Sequence, residues 1–214
     1  MKTKLRRILA VALACMGLLP LTLSGCSQKK AEAVDAFERG NFYAPKGDYN
    51  KAIPHDTVAI DHQAATAYAF HRTRGWSYTH KGEYNKGIAE FTEAIRLNPS
   101  FPTAYCDRGD CYLHRGDYLN KIDLLSRLGT PRPGSESDYV HKGDYDKAIA
   151  DYTEAIKLGP KNTLAYCHRG WAHHGKRDYD KAIADYTEAI QLEPTNANFY
   201  SFRLGAYRAS GDKK

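Results

Sequence analysis

Cys167, His168, His173 and His174 stand within eight positions of one another, in a chain with nine histidines. Such a set raises the question of metal binding. On a helix, His174 lies seven positions after Cys167 and shares its face, whereas His173 points elsewhere. A structural zinc takes four converging ligands, and this set offers at most three, so no metal is expected. Cys106 and Cys111 are five apart on one predicted helix, where their side chains diverge too far for an unstrained bridge. With Cys15 and Cys26 they bring the total to five, too few and too scattered for a disulfide framework. A phosphate-binding glycine loop, His-Glu-x-x-His, a nucleophile elbow and Cys-x-x-Cys are all missing, so neither catalysis nor a cofactor is expected. Arg-Gly-Asp occurs at 108–110 and again at 115–117. Both glycines fall where the repeat described next requires one.

The elements that position these residues are repetitive. The thirteen residues 144–156 recur unchanged at 178–190, an offset of 34. A period of that length is the signature of stacked helical hairpins, an all-α solenoid. Units are expected at 33–66, 68–101, 102–135, a truncated one at 136–162, and 163–196, closed by a capping helix at 197–210. Tyr166, Gly170, Ala182, Tyr186, Ala189 and Pro194 carry the pattern most completely, with Gly75, Tyr78, Phe91, Ala94 and Pro99 in the second unit and Gly40, Tyr43, Ala52 and Ala59 in the first. With these residues at these spacings, the stretch 33–212 resembles the tetratricopeptide-repeat family. That resemblance implies about five repeats of two antiparallel helices, with small residues where helices approach.

Residue periodicity agrees with the resemblance. Ala182, Ile183, Tyr186, Ala189 and Ile190 fall at i, i+1, i+4, i+7 and i+8, one apolar stripe. Asp185 falls outside it and is expected on the solvated face beside Lys181. Gly47, Gly82, Gly116, Gly143 and Gly211 should end first helices in left-handed residues, each followed by an acid that opens the next helix. Pro99, Pro160 and Pro194 should close second helices. Arg177 replaces the terminating glycine, at about 1 kcal/mol if left-handed. Pro54 interrupts the second helix of the first unit. Gly116 and Gly143 are only 27 residues apart, and Pro131, Pro133 and Gly134 forbid a continuous helix between them. The segment 128–137 is therefore either a hinge or the mark of a reading-frame slip in the gene record.

Residues 1–25 read as an export leader: Lys2, Lys4, Arg6 and Arg7 precede an apolar run at 8–23 that is too interrupted for a confident membrane span. The terminal Leu23-Ser24-Gly25-Cys26 resembles the lipobox of bacterial lipoproteins. The resemblance implies a covalent lipid on Cys26, a lipidated tether over 26–32 and attachment to a membrane of the cell envelope. Ser27 favours the outer membrane in a diderm organism. The alternatives are a secretory leader with an incidental cysteine and a retained anchor. Four of the 31 basic residues and none of the 25 acidic ones lie in the leader, so 27 against 25 remain, a net +2. That balance gives no reason to expect nucleic acid.

In tetratricopeptide proteins the first helices line a concave face. The resemblance carries its groove slots onto Phe37, Asn41, Arg72, Trp76, His80, Cys106, Asp110, His114, Cys167, Trp171 and His174. Two tryptophans and an arginine are residue types that concentrate binding energy in interfaces. The alternative for Trp76 and Trp171 is packing between adjacent helices. A carboxylate clamp would need Lys and Asn where Phe37 and Asn41 stand. An asparagine ladder would need Asn where Thr73, Asp107 and His168 stand. The expected function is a membrane-anchored adaptor that binds a protein or peptide in its groove, with no small-molecule substrate. Two other readings remain: a lipid-anchored solute- or metal-binding protein or enzyme using the histidine-bearing groove, and a degenerate array without a specific partner.

Overall fold

A computed structural model of the chain describes residues 21–62, 66–127 and 142–211. Among these are nine α-helices, one 3-10 turn and no strand. The helices are α1 (Leu21–Tyr43), α2 (Tyr49–His62), α3 (Ala67–His80), α4 (Tyr84–Leu97), α5 (Pro102–Arg127), α6 (Lys142–Leu158), α7 (Thr163–Gly175), α8 (Tyr179–Leu192) and α9 (Ala197–Ser210). Each packs on the next in chain order, which builds a helical-hairpin solenoid. The first twenty residues of the expected leader and the expected hinge at 128–137 lie outside the described residues.

Local chemistry sets the helix ends. Gly47, Gly82 and Gly211 adopt φ of 77°, 77° and 83°, the left-handed conformation expected of them. Arg177 takes the same conformation, with φ 64°, without a glycine's freedom. α4, α6 and α8 each end two residues before a proline, as Pro99, Pro160 and Pro194 foretell. α2 runs through Pro54 without a break. The acids that open second helices do something other than cap. Glu83 and Asp178 form no side-chain cap, and each holds the lysine three residues on, Glu83 to Lys86 at 2.6 Å and Asp178 to Lys181 at 2.7 Å.

Each hairpin closes where a ring lies on a glycine. A Cβ added at Gly75 would come within 2.9 Å of Phe91, at Gly109 within 2.8 Å of Tyr152, and at Gly170 within 2.7 Å of Tyr186. Only a hydrogen leaves room for the ring. The first hairpin departs: Asp56 occupies the position of the ring, with Oδ1 2.5 Å from where a Cβ of Gly40 would stand. Between the rings runs a ladder of arginines. Arg74 donates to Glu90 at 3.0 Å, Arg108 to Asp151 at 2.7 and 2.9 Å, and Arg169 to Asp185 at 2.7 and 2.9 Å. Each also reaches back to a threonine of the preceding second helix: Thr57, Thr92 and Thr153 respectively.

Three expectations are corrected here. The units expected at 102–135 and 136–162 pack as one hairpin, because α5 continues through Gly116 and its partner is α6: Tyr152 covers Gly109 and Arg108 grips Asp151. Gly116 and Gly143 both lie inside helices, so neither terminates one. Asp185 is buried rather than solvated, because the guanidinium of Arg169 supplies two hydrogen bonds in place of water. The expected tether 26–32 is helical: α1 begins at Leu21 and passes unbroken through Cys26. Glu32 at its end reaches His62 of α2 at 3.1 Å. No described helix is long and apolar enough to cross a membrane.

Candidate partner-binding groove

The first helices α1, α3, α5 and α7 and the terminal α9 stand side by side, joined by side chains from one to the next. Phe37 meets Phe70 at 5.0 Å between ring centres, Arg72 donates to Asp107 at 2.5 Å, and Thr79 contacts Cys111 at 2.9 Å. His168 shares a hydrogen bond of 2.7 Å with Asp110, and Trp171 meets Phe202 edge-on at 5.0 Å. This row is where the expected groove residues lie.

The structure gathers some of them and separates others. Trp76 and His80 form one pair, their rings 3.6 Å apart, with the His80 Nδ1 2.9 Å from the Trp76 carbonyl and Tyr49 against both. Asp110 and Trp171 belong to a second group, organised by His168. Asp110 Oδ1 accepts from the Tyr152 hydroxyl at 2.6 Å and pairs with His168 Nδ1, and the His168 ring stacks on Trp171 at 5.8 Å. Trp171 remains 39% exposed. Beside it opens a cleft of about 390 Å³ lined by Leu113, Trp171, His174, Tyr186, Ser201, Phe202 and two glycines, Gly175 and Gly205. His174 meets Tyr179 edge-on at its rim.

Other expected residues are occupied elsewhere. Phe37 turns into a small core with Ala36, Ala59 and Phe70, and Asn41 is exposed apart from it. The charge of Arg72 is taken up by Asp107. His114 is exposed and stacks on Tyr84. Cys167 is only 3% exposed and packs with Tyr186 and Phe199, which puts it in the core. Cys106 receives the Asn162 amide at 3.4 Å. His168, Ser201 and Phe202 join the groove although the expected set omits them. The signal for the last two is the 34-residue offset from Cys167 and His168 onto the capping helix.

Electrostatics limit what this surface can do. Burial pushes the thiols of Cys106 and Cys111 up to about 12 and that of Cys167 up to about 11, so all three remain protonated and poor nucleophiles at neutral pH. Burial works against a charged His168, but the hydrogen bond and charge of Asp110 outweigh it and raise the pKa. At His173 burial is the largest cause and lowers the pKa, against the opposing charges of Asp185 and Asp178. Among the described residues no group of three or more His, Cys, Asp or Glu could hold a metal ion. With Arg72 matched to Asp107 and His168 to Asp110, the groove offers stacking faces and an apolar cleft rather than a field of one sign.

A tetratricopeptide repeat model matches residues 163–196, and a TPR repeat model matches 75–116 and 137–176. Similar folds include MamA 41-end from Desulfovibrio magneticus RS-1, at TM-score 0.64 and 16% identity, covering 85% of this chain and 86% of that one. The first TPR of Spaghetti (RPAP3), solved bound to the HSP90 peptide SRMEEVD, aligns at TM-score 0.53 and 20% identity over 69% of this chain and 95% of its own. The Arabidopsis OM64 TPR domain aligns at TM-score 0.52 and 25% identity over 68% and 98%. No curated protein matches the sequence.

Proposed function

We propose that this chain, which belongs to the tetratricopeptide-repeat family, is a protein-binding scaffold that grips a peptide segment of its partner along the row of first helices. The observation that carries this reading is the exposed Trp171, held flat by His168 and Asp110 beside the apolar cleft. An aromatic face fixed in place loses little entropy on binding and buries a large area. The RPAP3 relative, with an HSP90 peptide bound, supports a peptide as the kind of ligand. An acidic tail of that sort is not the ligand proposed here. The slot that would offer a lysine holds Phe37, which is packed on Phe70. The groove's internally matched charges suit a segment with an aromatic or aliphatic anchor instead.

The leader and the sequence ending in Cys26 extend the proposal to a lipid-anchored scaffold of the cell envelope, with the groove held near a membrane. One acyl chain binds a membrane marginally and two bind firmly, at about 0.8 kcal/mol per buried methylene. Cys26→Ser should therefore release the protein from membranes, with loss of the lipid mass from the mature N-terminus. Retention of both would remove the anchor from the proposal. The binding role is tested by crosslinking and recovery from membranes with Trp76→Ala and Trp171→Ala. Loss of the principal partner, above all with Trp171→Ala, is expected. If both variants keep every partner, the groove is not the binding surface.

A further inference from the structure

The arginine ladder has a rung without its second half. At each internal rung the arginine holds a threonine of the helix before it and a carboxylate of the second helix that follows. Arg203 of α9 keeps the backward contact, donating to Thr187 at 3.3 Å, and lies over the Tyr200 ring as Arg169 lies over Tyr166. It has no carboxylate among the described residues. Tyr200, Arg203, Leu204 and Tyr207 fall at i, i+3, i+4 and i+7, the stripe with which each earlier first helix receives its second helix. On α9 that stripe is open, with Tyr200 43% and Leu204 44% exposed. It lies on the side of α9 away from Ser201 and Gly205, which line the groove cleft.

We propose that this stripe docks an amphipathic helix of a partner protein, one carrying an Asp or Glu followed directly by a small residue. The acid is set by charge complementarity: the three internal rungs show how this guanidinium slot binds a carboxylate presented from a helix. The small residue is set by Leu204. It stands where Gly170 stands one period earlier, and even a Cβ at Gly170 would come within 2.7 Å of Tyr186. A leucine there excludes the aromatic ring that follows the acid in α4, α6 and α8. Those helices in a second copy are in any case engaged with their own first helices. The proposed occupant is thus a helix whose sequence differs from a repeat of this array at one predictable position.

A helix-stapled, fluorescently labelled peptide with the sequence of α8 tests this, made unchanged and with Tyr186→Ala, against the full chain as purified from cells. The Tyr186→Ala peptide should bind at least about tenfold more tightly than the unchanged one, by fluorescence anisotropy. Arg203→Ala in the protein should weaken that binding about tenfold or more, as loss of a charge-assisted bidentate pair. Leu204→Gly should reverse the preference and admit the unchanged peptide, with circular dichroism confirming that the variant retains its helix content. Failure of the Tyr186→Ala peptide to bind, equal binding of both peptides, or indifference to Arg203→Ala would each overturn the proposal. None of these measurements depends on Trp171, so the result stands apart from the fate of the groove.

Discussion

Arg108 grips Asp151, 43 positions along the chain, with the same two hydrogen bonds by which Arg169 grips Asp185, 16 positions along. The difference, 43 − 16 = 27, equals the separation of Gly116 from Gly143. The third hairpin therefore holds 27 more residues between its arginine and its acid than the fourth, and both of its halves keep their register. The array has four hairpins and a terminal helix among the described residues, and part of the added length in the third hairpin is the extension of α5 to Arg127.

Removing 117–143 joins Gly116 directly to Asp144 and restores the glycine–acid turn found at Gly47–Asp48 and Gly82–Glu83. Closing a loop 27 residues longer costs only about 1–2 kcal/mol in chain entropy. The deletion should thus leave the protein folded and as stable or slightly more so in urea unfolding. A loss of more than about 2 kcal/mol would show that the deleted stretch is integral to the fold.

Breaking one rung should cost more than removing it. Asp185→Ala strands the Arg169 guanidinium in a largely buried site, at about 3–5 kcal/mol. The double replacement Arg169→Met with Asp185→Leu removes both charges and should recover most of that loss. Urea denaturation of the two variants separates the cases. Equal destabilisation would mean that packing, and not the unmatched charge, accounts for the effect.

Asp56 makes the first hairpin sensitive to pH. It is 1% exposed, its Oδ1 has no hydrogen-bond partner, and burial raises its pKa from 3.8 to about 7. Thr73 and Arg74 of α3 lower it in part, and Glu90 of α4 raises it. The folded state binds this proton more tightly than the unfolded chain does. Stability should therefore be greatest below pH 4 as far as this group is concerned, and fall as pH rises from about 4 to 7. Asp56→Phe would set a ring over Gly40, as Phe91 lies over Gly75. It should raise the melting temperature at pH 8 and flatten the dependence between pH 5 and 8. An unchanged slope in the variant would assign the dependence to other groups.

Arg177→Gly should stabilise by about 1 kcal/mol, since φ 64° strains any residue with a Cβ. The Arg177 side chain is exposed, so the change loses no buried contact. A melting temperature that stays the same or falls would mean that arginine contributes something at this turn beyond its backbone.

Much of this protein is determined by short-range chemistry and is legible in the chain itself. The 34-residue period, the glycine turns at Gly47, Gly82 and Gly211, the prolines after α4, α6 and α8, and the stripe Ala182, Tyr186, Ala189 and Ile190 all act within one or two helical turns. Spacing alone exposes them. The same reasoning takes Gly116 for a helix end and Asp185 for a solvated acid, because a local pattern cannot say which helix covers which. Tertiary packing decided those points. α5 pairs with α6 across the longer connection, the Tyr152 ring lying over Gly109 where a Cβ would leave no room, and Asp185 is buried because Arg169 supplies two donors in place of water. Cys167 is drawn into the core and Trp171 left outside for the same reason: contact between helices, and not position along one, determines which face remains open.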